Sequence, residues 1–439
     1  MHAEPKVLLK QAVQKCLPIL QLLVREYSAP HEVWRKTGDG RWEGEQVLKP
    51  DMVHVFIAAE KEIKEAGQPF AESFFARHPG YNGMVGFARF GWFNLGQDRT
   101  FILRSALGHL WERYETLELG EVAIDGLVNE FEAFVDKPTV RLLFRAQLLN
   151  FNTPGDRICL PDGLRIRRMT EKEVSALYGG PIGGFGMVRP RTFGMHEFCM
   201  EGETEEPKAF GYPKVHQQST KDRVKDWLDK VILYLRTFKE GHVGYDYIHI
   251  YPVTFCPMPF GSYGYGNPYV PFGAYTLDAG EIGLLLEHAK LIFGVTEEAM
   301  SMACSRLADA ENRTRPQDRI VDAVIGMEAL LLAGADGRKG ELSFRFALNY
   351  AMLFPPEQRQ HGYRLAQDLY RLRSVIVHGS PIDEGKSEIA GEKVELREAG
   401  KRATGALRTI IMHFLPMKGF QYRSREFWQR AYFGLPEPA

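Results

Sequence analysis

PQDRIVDAVIGMEALLLAG (Pro316–Gly334) is the stretch on which the fold of this chain turns. Proline suits the first turn of a helix because its missing N–H would have no partner there; Asp318 lies where the helix dipole favours a negative charge, and Gly334 marks the stop. At about 100° per residue, Val321, Val324, Ile325, Glu328, Leu331 and Leu332 fall on one face. A carboxylate inside an apolar stripe must be protonated, hydrogen-bonded or paired with a cation, since burying it alone costs several kcal/mol. Arg345, in the next helix, and Arg373 are its natural partners. A structural ion pair and a catalytic role for Glu328 are compatible, and the residues alone leave both open.

Working outward, apolar residues keep three- and four-residue spacing through Asp278–Phe293, Thr296–Glu311, Gln317–Ala333, Glu341–Phe354, His361–Val377 and Glu392–Leu415. This predicts an all-α part over 277–439. Upstream, the first third reads as helix with interruptions, including Thr100–Thr116 and Glu121–Val135. From Thr139 the period changes. TVRLLFRAQLLNF reads as a strand and ICLPDGLRIRRM as a hairpin turning at Pro161-Asp162-Gly163; a short helix, Glu171–Tyr178, follows. Then come a strand around Thr192–Met200, a helix at Thr220–Lys239 and the alternating strand YDYIHIYPVTF. The expected fold class is therefore α+β, with an N-terminal mixed α/β region over 1–276, divisible at about 137/138, and a C-terminal helical bundle. Gly179–Gly186 lacks GxGxxG and reads as an ordinary loop. The aromatic segment from Phe255 to Tyr275 reads as a self-packed surface loop rather than a base-stacking platform.

The 439 residues carry 55 Lys and Arg against 56 Asp and Glu, with 44% hydrophobic and 25% charged residues. That composition is globular, and the length fits two to three domains. A net charge of −1 excludes a protein that coats nucleic acid through a global basic excess. The balance is uneven, however: residues 305–439 hold 21 Lys and Arg against 17 Asp and Glu, leaving 34 against 39 for residues 1–304. A small paired cleft gripping a short RNA segment is compatible with that split. The five cysteines, Cys16, Cys159, Cys199, Cys256 and Cys304, form no CxxC or Cys/His cluster, which disfavours structural zinc and a disulfide framework. The N-terminus mixes charges and Pro18 into its apolar positions and falls short of a signal peptide or membrane span. A soluble, cytoplasmic protein with no membrane partner is expected.

HGYRLAQDLYRLRSVIVHG (His361–Gly379) carries the chemistry. Leu365, Leu369, Leu372 and Ile376 share one stripe, and Gly379 is the expected C-cap. Arg373 and His378 lie just off the stripe. Spaced by five, they are rotated by roughly 140° about the axis, so one helix does not aim both at the same point. A second copy of the helix end, related by a two-fold axis, would let both line one cleft. A helix C-terminus favours the charged imidazolium, so a His placed there can give and take a proton. Beside an Arg that neutralises phosphate charge, this is the minimum for cleaving RNA without metal or cofactor, the ribose 2′-hydroxyl serving as nucleophile. The Arg-x-x-x-x-His spacing occurs four times, at Arg104/His109, Arg191/His196, Arg373/His378 and Arg408/His413. Only Arg373/His378 combines a strongly amphipathic helix, a Gly directly after the His and a preceding helix bearing a buried acid.

In DRIVDAVIGMEALLL (Asp318–Leu332), ELSFRFAL (Glu341–Leu348) and YRLRSVIVHG (Tyr370–Gly379), in that order and with short gaps, the chain resembles the Apea-like branch of the HEPN superfamily. The likeness is tight over residues 317–379 and looser in the flanking helices. It implies a bundle that dimerises and a composite site in which Arg373 and His378 of both protomers cut RNA, with tRNA among the usual substrates, in toxin, abortive-infection or antiviral defence. Ser374, directly after the Arg, fits the superfamily pattern. Glu328, Glu341 and Arg345 match accompanying positions, implying that Glu328 and Arg345 orient Arg373. By the same architecture, residues 1–276 would form a sensor or specificity region for a trigger of phage or host origin. The alternative is a non-catalytic HEPN module in which the same residues bind a nucleotide or a protein partner.

Overall fold

The structure, a computed structural model, describes residues 3–87, 91–95, 98, 100–178, 196–210, 220–257, 262–263, 274–332, 342–379, 387–417 and 424–435. Glu341, Arg191, the glycines of 179–186 and Phe260, Tyr265, Tyr269 and Phe272 of the aromatic segment lie outside these residues. The chain is mixed α and β, as the sequence predicts.

The N-terminal third begins with α1 (Ala3–Glu26), a hairpin of β1 (Ser28–Lys36) and β2 (Trp42–Pro50), α2 (Met52–Ala58) and α3 (Glu60–Arg77). A small antiparallel pair, β3 (Met84–Phe87) and β4 (Gly91–Asn94), leads to α4 (Phe101–Tyr114) and α5 (Glu121–Asp136). The last two match their sequence-based bounds within two residues. The β1–β2 hairpin departs from the mostly helical expectation. Its strands pair in register from Ser28↔Pro50 to Lys36↔Trp42, and Trp34 and Trp42 pack against the buried Met169, Val174 and Cys199. A second departure concerns the N-terminus. The segment Glu4–Glu26 is long and apolar enough to cross a membrane by length and composition, Pro18 notwithstanding, and 33% of its most apolar 18-residue stretch is buried in the fold. Its inner face, including Leu9, Val13, Cys16 and Leu20, belongs to the core.

The middle region is built on an antiparallel sheet. β5 (Thr139–Leu149) is followed by the short β6 (Phe151–Asn152), by β7 (Arg157–Cys159) and β8 (Arg165–Arg168), and by α6 (Glu171–Tyr178). Gly163, at φ 76°, ends the turn between β7 and β8, where a residue without Cβ is favoured. Then come β9 (Phe198–Phe210), α7 (Thr220–Phe238), β10 (Gly244–Pro252), β11 (Ser262–Tyr263) and β12 (Tyr275–Thr276). The strand order is β11-β10-β5-β9-β3-β4, with β8 also pairing β9. β9 extends ten residues beyond the predicted end at Met200. Main-chain pairing with β5 as far as Thr139↔Pro207 and with β3 from Val85↔Phe210 carries it on, and Glu201 and Glu203 meet Arg145 and Arg141 of β5 at 3.1 and 3.8 Å.

The C-terminal part holds α8 (Glu281–Phe293), α9 (Glu298–Asn312), α10 (Pro316–Leu331), α11 (Leu342–Ala351) and α12 (Pro356–Val377). A ribbon of β13 (Ser387–Ile389) and β14 (Glu392–Val394) precedes α13 (Leu396–Phe414) and α14 (Arg425–Phe433). The ribbon corrects the all-helical expectation for Glu392–Leu415. Ala390 and Gly391 both take positive φ, 54° and 85°, which is the two-residue turn that closes a twisted hairpin and stops the helix from starting earlier. α10 is the central helix, in contact with α9, α11, α12 and α13.

No break in the core coincides with residue 276. Buried residues from Leu9 to Trp428 form one contiguous cluster, and α7 packs on α8, α9 and α13. Beneath α7, Arg236, 2% exposed, donates to Val243 O at 3.0 and 2.8 Å, to Ala308 O at 3.1 Å and to Asn312 Oδ1 at 2.7 Å. Arg408 of α13 donates to Arg236 O at 2.8 Å and pairs with the buried Glu311 of α9.

Candidate functional site

α10 begins as its sequence predicts, with Pro316 in the first turn and Asp318 beside it. Its fully buried face is Ile320, Ala323, Val324, Met327, Leu330 and Leu331. Val321, Ile325, Glu328 and Leu332 form the half-buried margin instead, so Glu328 lies at the edge of the apolar stripe and not within it. The reason is geometric: α9 and α13 cover one side of α10, and the Glu328 side faces α12, whose own arginine lies there.

Arg373 reaches Glu328 from α12, its Nη2 standing 3.4 Å from Oε2, with 27% and 23% of the two side chains exposed. The Tyr370 hydroxyl stands close enough to the same carboxylate to act on its charge, and the Tyr370 ring leans on the buried Phe346 of α11 at 5.0 Å. Burial pushes the Glu328 carboxyl up from its ordinary range, while the Arg373 charge and the Tyr370 hydroxyl pull it back down. Three helices therefore meet around one carboxylate. The Arg373 Nε is buried without a hydrogen-bond partner, so the guanidinium is held from one end only.

His378 caps α12. Its N–H donates to Ser374 O at 3.0 Å, the Gly379 N–H donates to Ile376 O at 3.1 Å, and Gly379 takes the left-handed conformation at φ 69°. This is the expected glycine stop, and it is why the helix ends with His378 exposed. Among the described residues the imidazole makes no hydrogen bond and no ion pair. Ser374 is half-buried between them. Arg345 is half-buried in the first turn of α11 and stands close enough to Tyr432 of α14 to act on it electrostatically. It forms no ion pair with Glu328, so the carboxylate's charged partner is Arg373 alone among the described residues. The structure thus brings Glu328 and Arg373 together, places His378 nearby at the helix end, and turns Arg345 elsewhere.

Two of the other Arg-x-x-x-x-His spacings have structural work. Arg104 pairs with Asp98 at 2.8 Å, His109 stands 3.6 Å from Glu130, and Arg408 is the buried partner of Glu311. Tyr370 was not singled out by sequence, although it precedes Arg373 by three residues, the spacing that puts two side chains on one helix face. All five cysteines are free, four of them buried. Comparison with family models, characterised proteins and solved structures finds no match to this chain.

Proposed function

We propose that this chain is a metal-independent HEPN endoribonuclease acting in the cytoplasm as a homodimer, in toxin or antiphage defence, its substrate an RNA of the tRNA class. The observation that carries the reading is the exposed His378 at the glycine-capped end of α12, one turn beyond an Arg373 paired with Glu328. In the proposed reaction one imidazole takes the proton of the ribose 2′-hydroxyl as O2′ attacks phosphorus. The P–O5′ bond breaks, and the leaving O5′ takes a proton from the second imidazole, supplied by the partner copy. Arg373 neutralises the charge that accumulates on the phosphorane oxygens. Residues 1–276 would hold or release the nuclease in response to a trigger of phage or host origin. The local excess of Lys and Arg over residues 305–439, doubled in a dimer, supports RNA as the ligand.

The products test this chemistry. RNA incubated with the full chain in EDTA should yield fragments ending in 2′,3′-cyclic phosphate and beginning with 5′-hydroxyl. Cleavage that needs added metal or leaves 5′-phosphate ends overturns it. Saturable RNA or nucleotide binding without turnover would assign the non-catalytic HEPN module instead.

A further inference from the structure

The nine residues of β2 pair on one side only, with β1, from Ser28↔Pro50 to Lys36↔Trp42. Glu43, Gly44, Glu45 and Gln46 are all exposed, and so are Leu48, at 71%, and Lys49. In an antiparallel ladder every second residue turns its N–H and C=O away from the partner strand. β1 shows which residues these are. The Trp34 N–H donates to Ser175 Oγ at 2.8 Å and the Lys36 N–H to Glu171 Oε1 at 3.1 Å, both on α6 and outside the hairpin. Their cross-strand partners, Gly44 and Trp42, therefore turn outward on β2, and Gln46 and Leu48 follow by alternation. Among the described residues these outward main-chain groups of β2 make no hydrogen bond, whereas the matching row on β1 is covered by α6.

An open edge of this length is a template for another strand, and its side chains decide which strand fits. Glu43, Glu45 and Lys49 share the face turned away from Trp42. Glu45 stands 3.6 Å from Arg35 of β1, while Glu43 and Lys49 form no ion pair among the described residues. An incoming copy of β2, antiparallel about a two-fold axis at Gln46, sets each Glu43 opposite the partner's Lys49, so the complementary pair forms twice. The same register sets Leu48 opposite the partner's Gly44. A Cβ on Gly44 would stand 3.3 Å from Trp34 Cζ2, so the incoming leucine meets the edge of an indole where β2 itself offers no side chain. Pro50, which has no N–H to give, falls at the end of the ladder. Moving the axis to Glu45 sets Glu45 against its own copy, and moving it to Val47 shortens the ladder. The charges thus favour the one register that uses the whole strand.

We propose that β2 pairs edge to edge with β2 of a second copy, making a four-stranded sheet across the two chains, with Glu43 of each matched to the partner's Lys49. This interface is separate from the end of α12 and does not depend on RNA cleavage.

Sedimentation velocity of the full chain between about 1 and 100 μM tests it. The wild type should gain mass with concentration. Glu43→Lys sets lysine against lysine, and Lys49→Glu sets glutamate against glutamate; each alone should weaken this association at least about tenfold. Mixed in equal amounts, the two variants should associate again as the wild type does, because each edge then meets its complement. That rescue also shows that both variants are folded, and an oligomer formed through α12 would be untouched by either change. A wild type that gains no mass overturns the proposal and leaves the edge to an extended segment of another protein. Single reversals that associate as tightly as the wild type, or a mixture as weak as its parts, overturn it as well.

Discussion

Glu328 holds one end of the Arg373 guanidinium, and Tyr370, its ring seated on Phe346, stands beside the carboxylate and bears on its charge. In the proposed reaction these two are positioning residues, because neither touches RNA. Glu328→Gln keeps the volume and loses the charge that orients Arg373. It should lower the rate of RNA cleavage roughly 10- to 100-fold, the scale of effect that a misplaced catalytic group produces. Tyr370→Phe removes the hydroxyl beside Glu328 and should lower it about two- to tenfold with the melting temperature nearly unchanged. Single-turnover rates of the two variants check both. Equal rates for Glu328→Gln and wild type would make the carboxylate a structural residue only.

Within elements, Gly326 and Glu201 show how packing and charge override local preference. Gly326 lies mid-helix in α10, where replacement by alanine would ordinarily stabilise by about 1 kcal/mol. A Cβ there would stand 2.7 Å from Leu407 Cδ2 and 3.1 Å from Arg306 Cβ, so the close approach of α13 and α9 reverses the sign. Gly326→Ala should destabilise by about 1–3 kcal/mol in urea unfolding. Glu201, 2% exposed on β9, is surrounded by Arg145, Arg165 and Arg167. Burial pushes its carboxyl up, but the arginines outweigh burial and hold it at about 2, against an ordinary 4.5. With the folded value depressed, the stabilisation is present above about pH 4.5 and is lost as pH falls towards 2, on the order of 3 kcal/mol in all. Unfolding at pH 6 and pH 3 should show that loss in the wild type, and Glu201→Gln should flatten it. The same two elements mark what the sequence could show. The start of α10 and the end of α12 were legible because Pro316 and Gly379 act on their own neighbours. β9 beyond Met200 was not, since its glutamates look like a loop until β5, about sixty residues away in the chain, supplies the arginines. The β1–β2 hairpin likewise depends on Trp34 and Trp42 docking on residues from 169 to 199. At the site, the Glu328–Arg373 pair followed from helical spacing and the need to match a half-buried acid. The place of Tyr370 beside Glu328 and the divergence of Arg345 depend on how α11 packs, which spacing does not encode.

Over the whole molecule, the helical part and the region before it are joined by the buried cluster of Arg236, Glu311 and Arg408. Burial pushes the Glu311 carboxyl up, to about 7, against the pull of Arg408, Arg236 and Arg319. Arg236→Ala removes one of the two cations closest to Glu311 and several carbonyl bonds, so it should cost about 3–5 kcal/mol, seen as a lower urea midpoint for the chain as a whole. A signal received by residues 1–276 would have a direct mechanical route through this cluster to α13, and from α13 to α10, which carries Glu328. What such a route would control is the proposed nuclease site centred on α12. The most direct measurement is therefore the rate of RNA cleavage in EDTA by the wild-type chain, Arg373→Ala and His378→Ala, all three shown to be folded. The account predicts that the wild type cleaves and that each substitution lowers the rate by at least about a hundredfold. Cleavage that survives both substitutions would contradict it.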